Sequence, residues 1–281
     1  LFFGEVRVNI DLSNWKLTLP VGGKGKPTEI KQPALSAYAG PHFLRTGDTL
    51  VFITPTDGVT TKNSKNPRCE LRQMNGDKLA AWSSTVGRNT MTVELSVDVL
   101  PIGSKPHVVV AQIHDSGDDV TVFRVEGSTT DRSRASIWIT DGDSARGFML
   151  TDNYRLGDRI QVGFDVADGV IRYTYNGAII DYRQSKKVTG CYFKTGCYNQ
   201  SGGIVTRLPD GRPDFAQVTI YACTVTSESA TVPVITPGTP DDTAKQIAEL
   251  QRQVAILQQQ VAALAQRHER QWTALREAVA P

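Results

Sequence analysis

Three short stretches carry side chains that ordinary strand packing does not need. The first is Gly190–Gln200, G-C-Y-F-K-T-G-C-Y-N-Q, where Tyr192 and Tyr198 flank Lys194 and Gly196 permits a kink. On a regular strand Tyr192, Lys194, Gly196, Tyr198 and Gln200 share one face, because successive side chains alternate. The second is Pro67–Met74, P-R-C-E-L-R-Q-M. There Arg68, Glu70 and Arg72 take one face, and Cys69 and Leu71 the other. Two guanidinium groups around one carboxylate make an anion clamp that Glu70 holds in place. The third is Val108–His114, V-V-V-A-Q-I-H. Strict alternation puts Val108, Val110, Gln112 and His114 together, with Val109, Ala111 and Ile113 opposite. Of the four histidines, His42 and His107 sit beside prolines and His268 lies in the tail, so His114 is the candidate base.

This set of Arg, Gln, His, Lys and Tyr lacks paired carboxylates, which argues against glycoside hydrolysis by two acids. No phosphate-cradling glycine loop, H-E-x-x-H, G-x-S-x-G or EF-hand pattern occurs. Asp115, Asp118 and Asp119 form an acidic turn without ordered calcium-ligand spacing, so no metal and no cofactor is expected. The set suits elimination from a polyuronate. Removing the C5 proton builds negative charge beside the carboxylate, and aimed donors such as Arg68 and Gln112 would neutralise it. A base then takes the proton and an acid protonates the departing O4. His114, with an ordinary pKa near 6.5, fits the base. Tyr198, beside the cations Lys194 and Arg68, fits the acid. In guluronate H5 and O4 lie on opposite faces and call for two groups. In mannuronate they share a face, and one tyrosine could serve twice.

The elements that must position these groups read as strands. Apolar alternation marks Trp15–Leu19, Thr49–Thr54, Arg68–Met74, Met91–Leu100, Val108–His114 and Val120–Glu126, then Ala135–Thr140, Ile160–Val166, Val170–Tyr175 and Ala216–Thr226. Asp168–Gly169 and Asn176–Gly177 between apolar runs are hairpin signals. Only Thr28–Tyr38 reads as briefly helical. Many short strands without alternating helices predict an all-β fold, an antiparallel sandwich or jelly roll. Composition then changes. Residues 227–242 are a Pro/Ser/Thr-rich linker, and 243–281 turn helical. In that tail Ile247, Leu250, Val254, Leu257, Val261 and Leu264 form a coiled-coil-like heptad seam. It reads as a homo-oligomerising helix or as an amphipathic helix folded back on the β domain.

The 281 residues carry 40% hydrophobic and 21% charged side chains and a net charge of +2. So mild a charge implies neither nucleic acid nor membrane as partner. Leu1–Phe2–Phe3 runs straight into charged, strand-like sequence, so no signal peptide is read here. Cys69, Cys191, Cys197 and Cys223 lack zinc spacing. A Cys191–Cys197 disulfide is read across the kink, while Cys69 and Cys223 either pair or remain buried thiols; disulfides would favour a secreted, extracellular protein.

R-C-E-L-R, Q-I-H and Y-F-K-T-G-C-Y-N-Q are similar to the three signature strands of polysaccharide lyase family 7, the alginate lyases. The resemblance covers most of Phe3–Thr226, including N-W-K-L-T-L-P, A-A-W-S at Ala80–Ser83 and K-P-H-V-V-V. It implies a β-jelly roll over 1–226 whose concave sheet binds alginate and cleaves it by metal-independent β-elimination; endo action is a separate expectation, which the loops at the groove ends decide. Carried over by position, it implies Arg68, Gln112, His114 and Tyr198 as catalytic residues. Glu70, Arg72, Lys194 and Gln200 match its substrate-binding positions. In the family, Q-I-H with isoleucine goes with guluronate-containing substrate. Two positions depart from the pattern: Cys69 stands where serine or threonine is usual, and Thr195 where alanine is usual. The alternatives are a noncatalytic acidic-glycan-binding jelly roll and a lyase of another polyuronate such as glucuronan.

Overall fold

In the computed structural model the described residues are 10–103, 105–142 and 145–228, with 247, 251, 252, 254, 255 and 258 beyond them. The chain divides into two units, Leu1–Ala230 and Thr231–Pro281, and the site lies in the first. The six later described positions are helical. The rest of the heptad seam, and the linker apart from residues 227 and 228, lie outside the described residues.

The strands run in chain order as β1 (Trp15–Gly23), β2 (Lys26–Ile30), β3 (Phe43–Thr46), β4 (Thr49–Pro55), β5 (Arg68–Asn75) and β6 (Lys78–Leu79). Then come β7 (Arg88–Val99), β8 (His107–His114), β9 (Asp119–Gly127), β10 (Arg134–Asp141) and β11 (Ala145–Arg155). The last are β12 (Ile160–Ala167), β13 (Val170–Tyr175), β14 (Ala178–Ser185), β15 (Tyr192–Asn199) and β16 (Phe215–Glu228). Where a helix was expected over Thr28–Tyr38, the chain forms β2 and only a 3-10 turn at Ala34–Ser36. Pro33 has no amide hydrogen to extend a helix through that point.

Two antiparallel sheets result, as the jelly-roll expectation requires. One has the order β11-β10-β9-β8-β15-β5-β1-β2, with β6 on β5; the other is β14-β13-β12-β7-β16-β4-β3. Their inner faces bury Leu17, Leu71, Met91 and Leu95 together with an aromatic cluster of Phe123, Phe164, Tyr173 and Phe193. Truncating one such aromatic to alanine costs about 3–5 kcal/mol. The β12–β13 and β13–β14 hairpins close on Asp168–Gly169 and Asn176–Gly177, all four residues having positive φ. This is the mirror-image turn whose twist matches paired strands.

Topology makes the site. β15 inserts between β8 and β5, so three strands far apart in sequence lie side by side. β15 pairs regularly with β5, Lys194 opposite Arg72 and Tyr198 opposite Arg68. Against β8 the register slips between Thr195 and Tyr198, and β8 slips against β9 between Val109 and Ala111. These bulges correct the alternation expected for β8. Val108, Val110 and Ala111 join the core, whereas Val109 clusters with Val122 and Tyr198. Gln112 and His114 keep their expected face only because the extra residue is absorbed before them.

The Cys191–Cys197 disulfide is also corrected, and Cys69 and Cys223 take the unpaired alternative: all four cysteines are free. Cys191, just before β15, and Cys197 within it are separated by six extended residues, about 20 Å at the usual rise, far beyond disulfide reach. Cys69 and Cys223 lie on different sheets, on β5 and β16, and are likewise unbridged. The extracellular reading drew on disulfides and gains nothing from free thiols.

Candidate active site

Glu70 is the hub. Its carboxylate is almost fully buried, and Lys194 Nζ approaches one oxygen at 2.5 Å. Arg68 reaches the same oxygen at 3.4 Å, and Gln112 Nε2 donates to the other. A buried carboxylate of this kind is tolerable only with such partners. It fixes three strands at one point: β5 through Arg68, β15 through Lys194 and β8 through Gln112.

Around the hub lies a cleft of ≈ 620 Å³ lined by Arg68, Arg72, His114, Tyr192, Lys194 and Tyr198, with Lys16, Ser64 and Asp119 among its other walls. The domain's larger cavity, ≈ 980 Å³, is lined by Asp11 and Glu228 but by no Lys, Arg or His. It offers a polyanion no countercharge, so the smaller cleft is the candidate site.

The aromatic groups are clamped by cations. The Arg68 guanidinium lies 3.7 Å from the Tyr198 ring centroid, and Arg72 lies 3.7 Å from that of Tyr192. Tyr192 in turn stacks on His114, centroids 5.1 Å apart. The Tyr198 hydroxyl shares a hydrogen bond with Ser64 Oγ at 3.1 Å.

His114 Nδ1 lies 2.7 Å from the Asp115 carbonyl, which can only accept. Nδ1 therefore carries the hydrogen, and Nε2 presents a lone pair. Nε2 faces Asp119 Oδ1 at 3.7 Å, an oxygen with no hydrogen-bond partner. Burial, helped by the charge on Lys194, lowers the His114 pKa against the pull of the Asp115 carbonyl. Burial pushes Asp119 up to about 6, although Lys194 opposes it. Lys194 itself is pushed down to about 8 by burial and then Arg68, with Glu70 holding it up.

Most of the predicted residues meet here. Arg68, Arg72, His114, Lys194 and Tyr198 line the cleft, and Glu70 and Gln112 lie buried in its floor. Gln112 serves as a strut to Glu70. Gln200 lies past the end of β15, its amide bonded to the His107 carbonyl, and is not among the cleft lining. Two residues bearing on the chemistry were missed. Asp119 read as a turn residue, yet the short β8–β9 connection pairs it with His114. Ser64 had no signal in a loop. The departure at Thr195 also has a use, since its hydroxyl donates to the Val110 carbonyl at 2.8 Å, at the bulge. Cys69 faces the core as expected, its thiol on the His42 carbonyl at 3.1 Å.

Gly196 sits centrally, with φ of +141°. A Cβ there would come within 2.7 Å of the Cys69 carbonyl and 2.9 Å of Glu70 Cα. Only glycine lets β15 approach β5 this closely.

A family model described as alginate lyase matches residues 10–227. The chain belongs to the alginate lyases of polysaccharide lyase family 7. Among solved structures, the alginate lyase from Corynebacterium sp. is 39% identical, with a TM-score of 0.69, over 78% of this chain and 96% of that one. The family 7 alginate lyase AlgAT5 is 38% identical, with a TM-score of 0.67, over 77% and 95%. Alginate lyase A1-II′, known in complex with the substrate GGMG, is 26% identical over 79% and 95%, with a TM-score of 0.63. No curated protein matches the chain. This alginate lyase therefore has its lyase domain within the described β unit, and the helical positions lie beyond the matched residues.

Proposed function

We propose that this enzyme cleaves alginate internally by β-elimination, with guluronate at the reacting position, His114 as base and Tyr198 as acid. The observation that carries the reading is one shared cleft. It holds a histidine whose bare Nε2 is fixed by the Asp115 carbonyl, and a tyrosine hydroxyl on the neighbouring strand. The C5–H electron pair becomes the C4–C5 double bond, Nε2 keeps the proton, and the C4–O4 bond breaks. Tyr198 gives its hydroxyl proton to O4. Asp119 then faces the imidazolium, and Arg68, lying on the Tyr198 ring, faces the phenolate; both charges are met without reorganisation.

Arg68, Arg72 and Lys194 supply positive charge for the uronate carboxylates. Gln112, fully buried, acts through Glu70, donating to the carboxylate that also holds Arg68 and Lys194. Base and acid on separate strands suit the opposed H5 and O4 of guluronate.

Alginate blocks incubated with the protein should gain ultraviolet absorbance from the new double bond, fastest on guluronate-containing blocks. Absence of any gain on guluronate, mannuronate and mixed blocks across pH 5–9 would sink the reading. A gain on glucuronan alone would reassign the substrate.

A further inference from the structure

The concave sheet repeats its cation-bound glutamate. On β9, Glu126 accepts from Arg124 Nε at 2.7 Å, and Arg146 on β11 binds its other oxygen. Burial alone would raise the Glu126 pKa, but the Arg146 hydrogen bond and the charges of Arg124 and Arg146 hold it below its ordinary value. It stays ionised, and of its two arginines Arg146 is the one that reaches solvent. His107 adds no charge near neutrality, since burial drops it to about 4. Arg146 is half exposed and lies 4.8 Å from the Trp138 ring centroid. The Trp138 indole N–H is fixed on Ser136 Oγ at 2.9 Å. A solvated cation thus sits beside a locked aromatic face on the concave side.

The ladder joins this group to the cleft. Arg68 pairs with Tyr198, Tyr198 with Val109, Val109 with Arg124, and Arg124 with Trp138. Paired residues share a face, so these five form one row running across the strands. At the usual strand spacing Arg124 stands about 10 Å and Trp138 about 14 Å from Tyr198. The floor between them is apolar, made by Val109 and Val122 against Tyr198.

We propose that Arg124, Arg146 and Trp138, braced by Glu126, form a remote uronate-binding station that holds the polymer several sugars from the bond being broken. The sugar there lays its ring on Trp138 and its carboxylate on the exposed Arg146. The proposal rests on the reading of Tyr198 as the reacting group. The station contributes no proton transfer. It makes cleavage depend on substrate length.

The test is a length series of guluronate oligomers with the full chain. Wild-type kcat/KM should climb with length until the station is reached. In Trp138→Ala and Arg146→Ala that climb should shrink about tenfold, the loss of one charged or stacked contact, while Trp138→Phe keeps most of it. Equal melting temperatures would establish that the variants fold. An unchanged climb in both alanine variants would overturn the station. If the wild type cut no alginate, the catalytic reading would fall separately. Calorimetric affinity of long oligomers, unaltered by Arg146→Ala, would then overturn the station on its own.

Discussion

The two glutamates of the concave sheet, Glu70 and Glu126, solve the same problem with different consequences. Each is a buried carboxylate held by two cations. At Glu70 both cations are themselves nearly buried, and a third partner, Gln112, ties in another strand. At Glu126 one cation, Arg146, is more than half in solvent. The first cluster is rigid and surrounded by groups that can trade protons, His114, Tyr198 and Asp119. The second is half solvated, and its neighbours are Trp138 and a histidine kept neutral. On the proposed reading the first arrangement performs the chemistry and the second only holds.

Experiments that separate the two clusters begin with the largest effect. Tyr198→Phe should lower kcat by about 10²–10⁴-fold, the usual share of a general acid, with oligomer affinity nearly intact by calorimetry. Trp138→Phe should leave both kcat and affinity nearly unchanged. Retained turnover in Tyr198→Phe would remove the contrast.

Next is stability. Glu70→Ala strands Lys194 and Arg68 as buried charges, and urea unfolding should show a loss of about 3–5 kcal/mol. Glu126→Ala leaves Arg146 free to turn to water, and a loss of about 1–3 kcal/mol is expected. Equal losses would mean the clusters are equivalent.

Third is pH. His114 must be neutral to act as base, and its pKa is lowered, so the acid limb of kcat/KM should fall below pH 6.5. Lys194 loses its proton through about 8 in the folded protein. Attraction for the uronate should weaken there, giving an alkaline limb that Lys194→Arg moves upward. Oligomer binding at the Glu126 cluster has no group titrating in that range and should stay flat.

The smallest effect is at Asp119. Its folded pKa is raised from 3.8 to about 6. Ionising it in place therefore costs stability above pH 6, and the cost is relieved as pH falls towards 4. Asp119→Asn should gain up to about 2 kcal/mol on wild type at pH 8 relative to pH 4. A pH-independent difference between the two proteins would show that Asp119 is not strained by its charge.

The hub of the site was readable because its residues lie on regular strands. Arg68, Glu70 and Arg72 alternate cleanly, as do Lys194 and Tyr198, and unusual polarity on an inner strand marks them. Non-local pairing was not readable. Nothing in V-V-V-A-Q-I-H distinguishes Val109 from Val110 until β9 and β15 set the register of the bulge. Asp119 acquires its meaning only from standing opposite His114. Trp138 and Arg124 lie on separate strands whose shared row exists only in the sheet. Edge strands such as β11 and β14 escaped notice because their exposed faces break the apolar alternation. The hairpin at Asn176–Gly177 was visible from its own turn chemistry.

Gly196 bears on any attempt to redesign this enzyme. It has no side chain to offer a substrate, and a search restricted to groups that touch sugar would pass it over. Yet it is the point at which β15 and β5 close enough for Lys194 and Arg68 to share one carboxylate. A saturation library over the cleft should therefore find its least tolerant position at the residue with the least chemistry. Efforts to widen substrate choice should vary Arg72, Tyr192 and the remote arginines, and leave Gly196 fixed.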